Sequence, residues 1–321
     1  MDIDGRPDVT VILVNYNTGH LFERMFSALK DASGNLLIQT ILVDNASQDN
    51  SVATLRSKYL TVELIKNQIN VGFGRANNQA LALARGRYLL LLDTDAFVSP
   101  DTLIKTLSFM ESDPRCGVLG VKLVSEDGSL QPSCRYFPTP WNTFLSTTGL
   151  RRFFPKAQLV DDMSWDHAAV RDCDWVPGCF YLVRPEVIER VGLFDPRFFL
   201  YFEEVDHCRA VRKNGWDVTH FPFTEVVHIG GESAKSRGSL TSAGRQVSEI
   251  QIESELLYFR KHYGLIGLAT SVILTTCADL LSASKAIFRA LNKAKGDAAR
   301  QHLRRVFGVL AKTRMAARAT R

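Results

Sequence analysis

Two aspartates, Asp93 and Asp95, stand one residue apart at the end of an apolar run. The run reads YLLLLDTDAFV, so four leucines that favour burial lead directly into two carboxylates. A buried carboxylate without a partner is costly, which means that a positive group is expected opposite the pair. Paired carboxylate oxygens suit a hard divalent cation that also binds substrate phosphates. The alternative is that one of the two aspartates only caps the next helix.

The elements that must position these carboxylates follow from the pattern of apolar residues. Short apolar runs alternate with amphipathic stretches, which is typical of βαβ units and predicts an α/β fold with a mostly parallel central sheet. A helix after residue 98 is expected to open at Ser99 and Pro100, which have good capping chemistry. The predicted strands cover residues 10–16, 40–45, 62–67, 88–95, 117–124, 173–185 and 216–222, with helices near 21–29, 48–58, 75–84, 203–215 and 248–262.

Polar residues end three of the predicted strands. Asn15 and Asn17 follow the first strand, Asp44 follows the second, and Asp93 and Asp95 end the fourth. Ligands of open α/β sheets bind at the carboxyl ends of the strands, so these side chains are expected to share one site. Residues two apart on a strand face the same side, which predicts that Asp93 and Asp95 project together.

A glycine-rich loop, NVGFGRANN from residue 70, precedes the predicted helix at 75–84. Glycines such as Gly72 let a backbone approach a ligand closely, and Arg75 could reach a phosphate. The plainer interpretation is a tight turn. The chain has no GxGxxG or Walker pattern, so a dinucleotide or P-loop site is unsupported.

Charge is distributed unevenly along the 321 residues, whose net charge is +5. From Lys285 onward there are eleven Lys or Arg and one acid, Asp297, which leaves the preceding part of the chain acidic. This distribution predicts no nucleic-acid partner for the bulk of the protein. It indicates that the basic tail binds the anionic surface of a partner, either a membrane or a nucleic acid. The stretch 264–278 carries no charge but is shorter than the roughly 20 apolar residues of a membrane span. A helical hairpin and an interfacial helix are therefore preferred to a span.

Cysteine usage and the first residues favour a cytosolic setting. The six cysteines form no CxxC pair, which predicts reduced thiols, and the polar start MDIDGRPD does not resemble a signal peptide. We expect a catalytic domain over residues 1–240 and a helical, basic extension over 241–321.

Seven motifs carry a resemblance to a known family: VTVILVNYN, VDNASQD, NVGFGRANN, LLLDTDA, DWVPGCFYLVR, FFLYFEEVDHCRAVRKNGW and VVHIGGES. Over roughly residues 8–235 the chain resembles the inverting GT-A glycosyltransferases of family two, in particular the bacterial branch that includes rhamnosyltransferases of cell-wall and O-antigen assembly. The resemblance implies the GT-A fold, a nucleotide-sugar donor such as dTDP-L-rhamnose, and a glycan or lipid-linked acceptor. From the basic tail we further predict that the protein is held at the cytoplasmic face of a membrane, where lipid-linked acceptors lie. A homo-oligomer stays open.

The resemblance implies a divalent cation, Mn²⁺ or Mg²⁺, and roles for single residues. Asp95 takes the position of the direct metal ligand, His228 completes the metal site, and Asp93 faces the ribose or sugar. Asp44 takes the position that reads the base. The other residues implied in nucleotide-sugar binding are Asn15, Asn17, Asn45, Gly72, Arg75, Asn77, Thr94, Trp175 and Gly178.

Glu204 takes the position of the catalytic base, with Glu203 and Asp206 as alternatives. These acids open a predicted helix, where negative charge is favoured by the helix dipole, so an ordinary solvated helix start is the competing interpretation. Two other function classes also stay open. A sugar nucleotidyltransferase would need a Gly-rich loop with Arg and Lys after the first strand, and that loop reads NYNTGHLF. A non-catalytic binding protein would not need Glu204.

Overall fold

The computed structural model describes residues 5–230, 249–288 and 293–321. The chain forms two compact units. The first contains Met1–Arg135, Met163–Asp195 and Glu204–Gly244, and the second contains Tyr136–Asp162, Pro196–Glu203 and Arg245–Arg321. The predicted domain boundary near residue 240 lies outside the described residues and stays a prediction.

A mixed sheet of nine strands forms the centre of the first unit, in the order β3-β2-β1-β4-β8-β6-β9-β5, with β7 paired to β9. The strands are β1 (Val9–Asn15), β2 (Ile38–Asp44), β3 (Glu63–Lys66), β4 (Tyr88–Asp93), β5 (Ala96–Val98), β6 (Cys116–Val124), β7 (Arg171–Asp172), β8 (Phe180–Val183) and β9 (Asp217–His228). The first four strands run parallel, as do β6 and β9, while β8 is antiparallel to both of its neighbours. The α/β prediction is confirmed.

Nine helices are described. They are α1 (Phe22–Ser33), α2 (Ser51–Lys58), α3 (Phe73–Ala80), α4 (Thr102–Ser112), α5 (Pro140–Thr148), α6 (Pro185–Val191), α7 (Glu203–Lys213), α8 (Glu249–Phe288) and α9 (Lys293–Lys312). The leucines at 89–92 in β4 are all buried, which is typical of a strand covered on both faces. Each buried leucine contributes about 2 kcal/mol to stability, so this strand anchors the core.

The start of α4 differs from the prediction. The N-cap position is Asp101, whose side chain makes no capping hydrogen bond, and Ser99 donates its hydroxyl proton to the carbonyl of Glu225 on β9. The reason is that residues 96–98 form β5, which pairs with β9, so the chain leaves the sheet only at residue 98. The predicted strand 173–185 is also shorter: the strand itself covers Phe180–Val183, and Trp175 forms an isolated bridge with Arg135.

The second unit contains a pair of antiparallel helices, α8 and α9. Asp279 of α8 accepts a hydrogen bond from His302 of α9 at 2.7 Å, and Glu249 accepts one from Lys312 at 3.0 Å. Gly264 interrupts α8 with a non-helical φ of 67°. The part of α8 from Glu249 to Ser284 is long and apolar enough to cross a membrane by length and composition, with 22% of its most apolar window buried.

Candidate active site

Parallel pairing aligns the polar ends of β1, β2 and β4 at one edge of the sheet. Asn15 lies opposite Asp44, and Val14 lies opposite Asp93. The Asn15 amide donates to Asp44 Oδ1 at 2.8 Å, so the first two strand ends are joined directly. The structure therefore brings together residues that the sequence placed at three strand ends.

Asp93, Asp95 and His228 form a cluster whose ligand atoms all lie within 4.8 Å of one another. Asp93 ends β4, whereas Asp95 belongs to the turn that follows, so the predicted strand alternation is not what joins them. Asp95 is placed by the β5–β9 pairing, in which its carbonyl accepts from the Ile229 amide at 3.1 Å. His228 Nε2 lies 3.6 Å from Asp95 Oδ1.

Gln131 fixes the orientation and tautomer of the His228 ring. Its Nε2 donates to the His228 carbonyl at 2.7 Å, and its Oε1 lies 3.0 Å from His228 Nδ1. Because this Oε1 is an acceptor, Nδ1 carries the proton and the Nε2 lone pair faces Asp95. Burial lowers the pKa of His228, an effect that Asp95 opposes. Neutral imidazole held by an outer partner is the form in which histidine binds metals.

Negative charge accumulates at the two aspartates. Burial, followed by the charges of Asp95 and Glu204, raises the pKa of Asp93 to about 8. The pKa of the nearby Cys179 thiol is raised by burial and then by both aspartates. A divalent cation would remove this repulsion, and two carboxylates with one imidazole nitrogen are a suitable donor set for it. The residues present therefore fit a cation.

Glu204 lies in the first turn of α7 beside this cluster. Its Oε2 is buried and has no hydrogen-bond partner among the described residues. Burial raises the pKa of Glu204, and the Arg135 guanidinium opposes the increase. A Cβ added at Gly178 would lie 3.9 Å from the Glu204 Cβ, so the absence of a side chain at Gly178 leaves space beside the carboxylate.

The two alternatives for the base are placed differently. Asp206 is buried. Burial lowers the pKa of the neighbouring His207, which the Asp206 charge opposes, and burial raises the pKa of Tyr181, to which the Asp206 charge adds. The Tyr181 hydroxyl lies 2.7 Å from His207 Nδ1. Glu203 is also buried. It is the first residue of α7 and belongs to the second unit, whereas the rest of α7 belongs to the first. Of the three acids, Glu204 is the one whose charge acts on the pKa of Asp93.

The predicted nucleoside pocket is braced by Ser47. The Ser47 hydroxyl accepts from the Asn15 amide at 2.9 Å and from the Asn17 backbone at 3.0 Å. Asp44 is fully buried, and its Oδ2 accepts from the Ser47 backbone at 3.2 Å. Asn17 has a left-handed φ of 57°, a conformation that Asn tolerates better than most residues. These bonds hold the loops after β1 and β2 against each other.

Asn45 holds the glycine-rich loop. Its Oδ1 accepts from the Val71 backbone at 3.0 Å, and its Nδ2 donates to Asn70 at 2.9 Å. Gly72 caps α3 with a φ of 93°, which requires glycine, so the tight turn is present. Arg75 is half-buried in the first turn of α3.

Two of the residues predicted to bind nucleotide sugar lie within internal hydrogen bonds. The Asn77 amide donates to the Phe73 carbonyl at 3.0 Å and the side chain is buried. Thr94 is buried with its hydroxyl 2.7 Å from that of Thr18. Asn77 therefore bonds within α3, and Thr94 joins the loop after β4 to the loop after β1.

The sequence did not point to Gln131, Arg135 or Thr18. The Arg135 guanidinium stacks on the Trp175 ring at 4.1 Å, and its backbone amide donates to the Trp175 carbonyl at 3.2 Å. Thr18 donates its hydroxyl to Asn15 Oδ1 at 2.7 Å. Gln131 and Arg135 lie in an irregular segment without periodicity, and no local signal marks them.

Comparison with known sequences identifies relatives among sugar transferases. The chain is 27% identical over 231 residues to the N-acetylglucosaminyl-diphospho-decaprenol L-rhamnosyltransferase of Mycobacterium tuberculosis H37Rv, covering 68% of this chain and 75% of that one. It is 27% identical over 175 residues to the rhamnosyltransferase WbbL of Escherichia coli K12, covering 51% of this chain and 63% of that one.

Solved structures of glycosyltransferases share the fold. A mannosyltransferase from Pyrobaculum calidifontis, in complex with GDP-Man and Mn²⁺, matches with a TM-score of 0.53 at 17% identity, over 97% of this chain and 88% of that one. GalNAc-T7 with UDP, GalNAc and Mn²⁺ matches with a TM-score of 0.57 at 15% identity, over 98% of this chain and 58% of that one. The family model for glycosyl transferase family 2 matches residues 10–170. The chain therefore belongs to glycosyl transferase family 2 and is a glycosyltransferase with the GT-A fold.

Proposed function

We propose that the protein is a metal-dependent, inverting glycosyltransferase that moves L-rhamnose from a nucleotide donor to a lipid-linked glycan acceptor. The observation that carries the proposal is the convergence of Asp93, Asp95 and His228 beside Glu204, whose buried Oε2 has no hydrogen-bond partner among the residues that the structure describes. A cation site next to a base is what such a transfer requires.

In this proposal Asp95 and His228 hold the cation, with Asp93 beside it toward the ribose or sugar. When bound, the cation neutralises the charge of the departing nucleoside diphosphate. Gln131 keeps His228 in the tautomer whose Nε2 lone pair is available. Mn²⁺ accepts a nitrogen ligand more readily than Mg²⁺, so the imidazole favours Mn²⁺.

Glu204 removes the proton from the acceptor hydroxyl as that hydroxyl attacks the sugar. Its raised pKa brings the carboxylate closer to the operating pH, where general bases are most effective. One displacement inverts the anomeric centre and needs no covalent nucleophile. Gly178, with no side chain, leaves room beside Glu204 for the sugar or acceptor.

The nucleotide is assigned to the loops after β1, β2 and β3. Asn15, Asn17 and Asp44 line the nucleoside pocket, and Asn45 shapes the loop that presents Gly72 and Arg75. Arg75 in the first turn of α3 would contact a phosphate, because a helix N-terminus and a guanidinium both favour anions.

The donor and acceptor are inferred from the relatives. Rhamnosyltransferases occur among them in two organisms, and the name of one specifies a diphospho-decaprenol acceptor. We infer dTDP-L-rhamnose as donor and a lipid-linked glycan as acceptor, met at the cytoplasmic face of a membrane. The eleven basic residues from Lys285 onward would bind the anionic lipid there.

The decisive experiment compares Glu204→Gln with wild type on a panel of nucleotide sugars with Mn²⁺. We expect the variant to lose sugar transfer and keep donor binding, since the amide preserves shape but cannot accept the proton. Glu189→Gln, at an exposed position of α6, is the matched control and should transfer normally. NMR of the product would report the anomeric configuration.

Unchanged turnover of Glu204→Gln would refute the assignment of the base. Retention of the anomeric configuration would refute the single displacement. A wild-type protein that binds nucleotide sugars without transferring from any donor to lipid-linked acceptors would instead be a binding protein.

A further inference from the structure

We propose that an exposed aromatic and basic surface of the second unit contacts an anionic lipid bilayer. We call it the 141–156 surface, and it consists of Trp141, Arg151, Arg152, Phe153, Phe154 and Lys156. The inference deepens the proposed membrane location, on which it rests, because it adds a second contact away from the basic tail.

Local structure explains why this surface is presented so openly. Thr139 caps α5 through a reciprocal capping box with Asn142, and Leu145 on the inner face of the helix is completely buried. Gly149 ends the helix with a left-handed φ of 70°, and a short 3₁₀ helix follows at Leu150–Phe153. Residues 151–156 are all exposed. The fold therefore anchors α5 and leaves the following segment in solvent.

The aromatic rings of the surface are held in place rather than loosely exposed. Trp141 stacks on Phe144 with ring centroids 5.6 Å apart and meets Phe154 edge-on at 5.3 Å. Even so, Trp141 is 44% exposed, Phe153 63% and Phe154 43%. Large aromatic side chains left in water at one place mark an interaction surface.

The positive charge of the 141–156 surface indicates an anionic binding partner. Between Tyr136 and Val160 the sequence has three basic residues and no Asp or Glu. Within the described parts of the chain, no carboxylate forms an ion pair with Arg151, Arg152 or Lys156. The Arg152 guanidinium lies 4.7 Å above the Phe153 ring, so cation and apolar group face outward together. Trp, Phe and Arg in such a mixture suit the headgroup level of an anionic bilayer.

A second apolar segment of the same unit is also exposed. The Tyr263 hydroxyl donates to the Pro138 carbonyl at 3.0 Å, which joins α8 to the residue just before the capping box. Two residues later α8 exposes Leu265 by 57% and Ile266 by 83%. Exposed apolar side chains on two linked elements, together with cations that no described carboxylate pairs, match a lipid surface better than a small soluble ligand.

The test is flotation of the full chain with vesicles of phosphatidylcholine alone or mixed with phosphatidylglycerol. One variant replaces Phe153 and Phe154 with Ser, and another replaces Arg151, Arg152 and Lys156 with Gln. We expect each to reduce partitioning onto the anionic vesicles by about tenfold or more, since each basic residue near such a surface contributes a several-fold factor. Wild type should lose binding as salt increases.

Matched controls lie in the first unit. Leu60→Ser with Ile69→Ser removes apolar side chains that are 82% and 70% exposed, and Arg56→Gln with Lys58→Gln removes exposed charges. Both controls should bind vesicles as wild type does. Unchanged flotation of both 141–156 variants would overturn the inference. The inference would also be overturned if wild type were a dimer and the variant with Phe153→Ser and Phe154→Ser were a monomer that binds vesicles as wild type does. The surface would then be assigned to contact with a second copy of the chain.

The vesicles contain no glycan acceptor, so the outcome does not depend on sugar transfer. A tail variant, Arg300→Gln with Arg304→Gln, separates the two membrane contacts. If the tail variant alone loses flotation, the proposed membrane location stands and the 141–156 surface is refuted. If the wild-type chain itself does not float with the anionic vesicles, both proposals fail while the glycosyltransferase assignment is untouched.

Discussion

Gln131 and His228 form a reciprocal pair, in which the glutamine amide donates to the histidine carbonyl at 2.7 Å and accepts from the ring Nδ1 at 3.0 Å. A third bond, from Gln131 Nε2 to Ser125 Oγ at 3.0 Å, fixes the amide. Outer partners of this kind set the orientation of a metal-binding imidazole, and losing one typically costs 10- to 100-fold in metal affinity.

We therefore expect Gln131→Ala to weaken Mn²⁺ binding by about tenfold or more while the fold is retained. Isothermal titration of Mn²⁺ in the presence of nucleoside diphosphate measures the change. Gln158→Ala, at an exposed position, should bind Mn²⁺ as wild type does. Equal affinities for the two variants would show that Gln131 has no part in presenting His228.

Asp93 lowers the stability of the metal-free protein as pH increases. Its pKa in the folded state is about 8, above the 3.8 of an unperturbed aspartate, so the folded state holds the proton more tightly than the unfolded state. Its contribution is favourable below about pH 3.8 and is lost as pH increases toward 8. We propose that the same carboxylate lies beside the bound cation, so a residue that the function requires makes the metal-free protein less stable.

Asp93→Asn should consequently be more stable than wild type near pH 8 in chelator. One pKa unit corresponds to about 1.4 kcal/mol, and we expect a gain of about 2 kcal/mol or more in the free energy of unfolding by urea. The gain should shrink near pH 5. Asp31→Asn, an exposed position on α1, serves as the control and should change little at either pH. A wild type as stable as Asp93→Asn near pH 8 would show that Asp93 is not strained by repulsion.

Local sequence pattern was sufficient for the strand ends but not for the complete cluster. Asn15, Asp44 and Asp93 each end an apolar run, and parallel strands bring such ends to one edge. The local pattern does not predict that Asp95 lies next to His228, because Asp95 is in a turn and the two residues are brought together by the pairing of β5 with β9. That pairing joins residues more than 120 positions apart, and no periodicity within either segment encodes it.

Tertiary contacts also place the residues that the sequence did not reveal. Gln131 reaches His228 because its backbone amide donates to the Leu123 carbonyl at 2.9 Å, which folds the irregular segment back onto β6. The same limit explains the error at Ser99. A serine before proline suits a helix start, but its hydroxyl is used by the carbonyl of Glu225 on a neighbouring strand. In both cases a tertiary hydrogen bond, and not local propensity, determines where the side chain lies.

Two buried histidines make the protein sensitive to acid. Burial lowers the pKa of His207 and of His220 to about 4 each. For His220 the hydrogen bond to the His167 carbonyl opposes this decrease, and the charges of His167 and Lys122 add to it. The unfolded chain takes up protons below about pH 6.5, whereas the folded protein does so only near 4. Stability is therefore full above 6.5 and falls as pH decreases toward 4, by up to about 3 kcal/mol for each histidine.

His220→Phe should reduce this loss. The Phe ring keeps the edge-to-face contact with Trp165, whose centroid lies 5.7 Å from that of His220, but cannot be protonated. We expect the difference in unfolding free energy between about pH 7.5 and 4.5 to shrink by about 2 kcal/mol. His20→Gln, at an exposed position, should leave the difference unchanged. An undiminished pH dependence in His220→Phe would mean that His220 is not its source.

Within the second unit, α8 holds the segment that leads into Glu204. Tyr201 and Phe202 adopt left-handed φ values of 69° and 70°, which costs a non-glycine residue about 1–2 kcal/mol. Ser254 donates its hydroxyl proton to the Leu200 carbonyl at 2.8 Å, and the Tyr258 ring lies 5.3 Å from that of Phe202. These contacts hold the chain in its strained form immediately before α7.

Ser254→Ala should let the segment at residues 200–202 relax. The free energy of unfolding should fall by about 1 kcal/mol, the usual effect of losing one buried hydrogen bond. Ser282→Ala is the matched control on the same helix, since its hydroxyl bonds only to the Ala278 carbonyl of its own helix. If Ser254→Ala were as stable as Ser282→Ala and wild type, the left-handed conformation at residues 201–202 would be maintained without the hydrogen bond from Ser254.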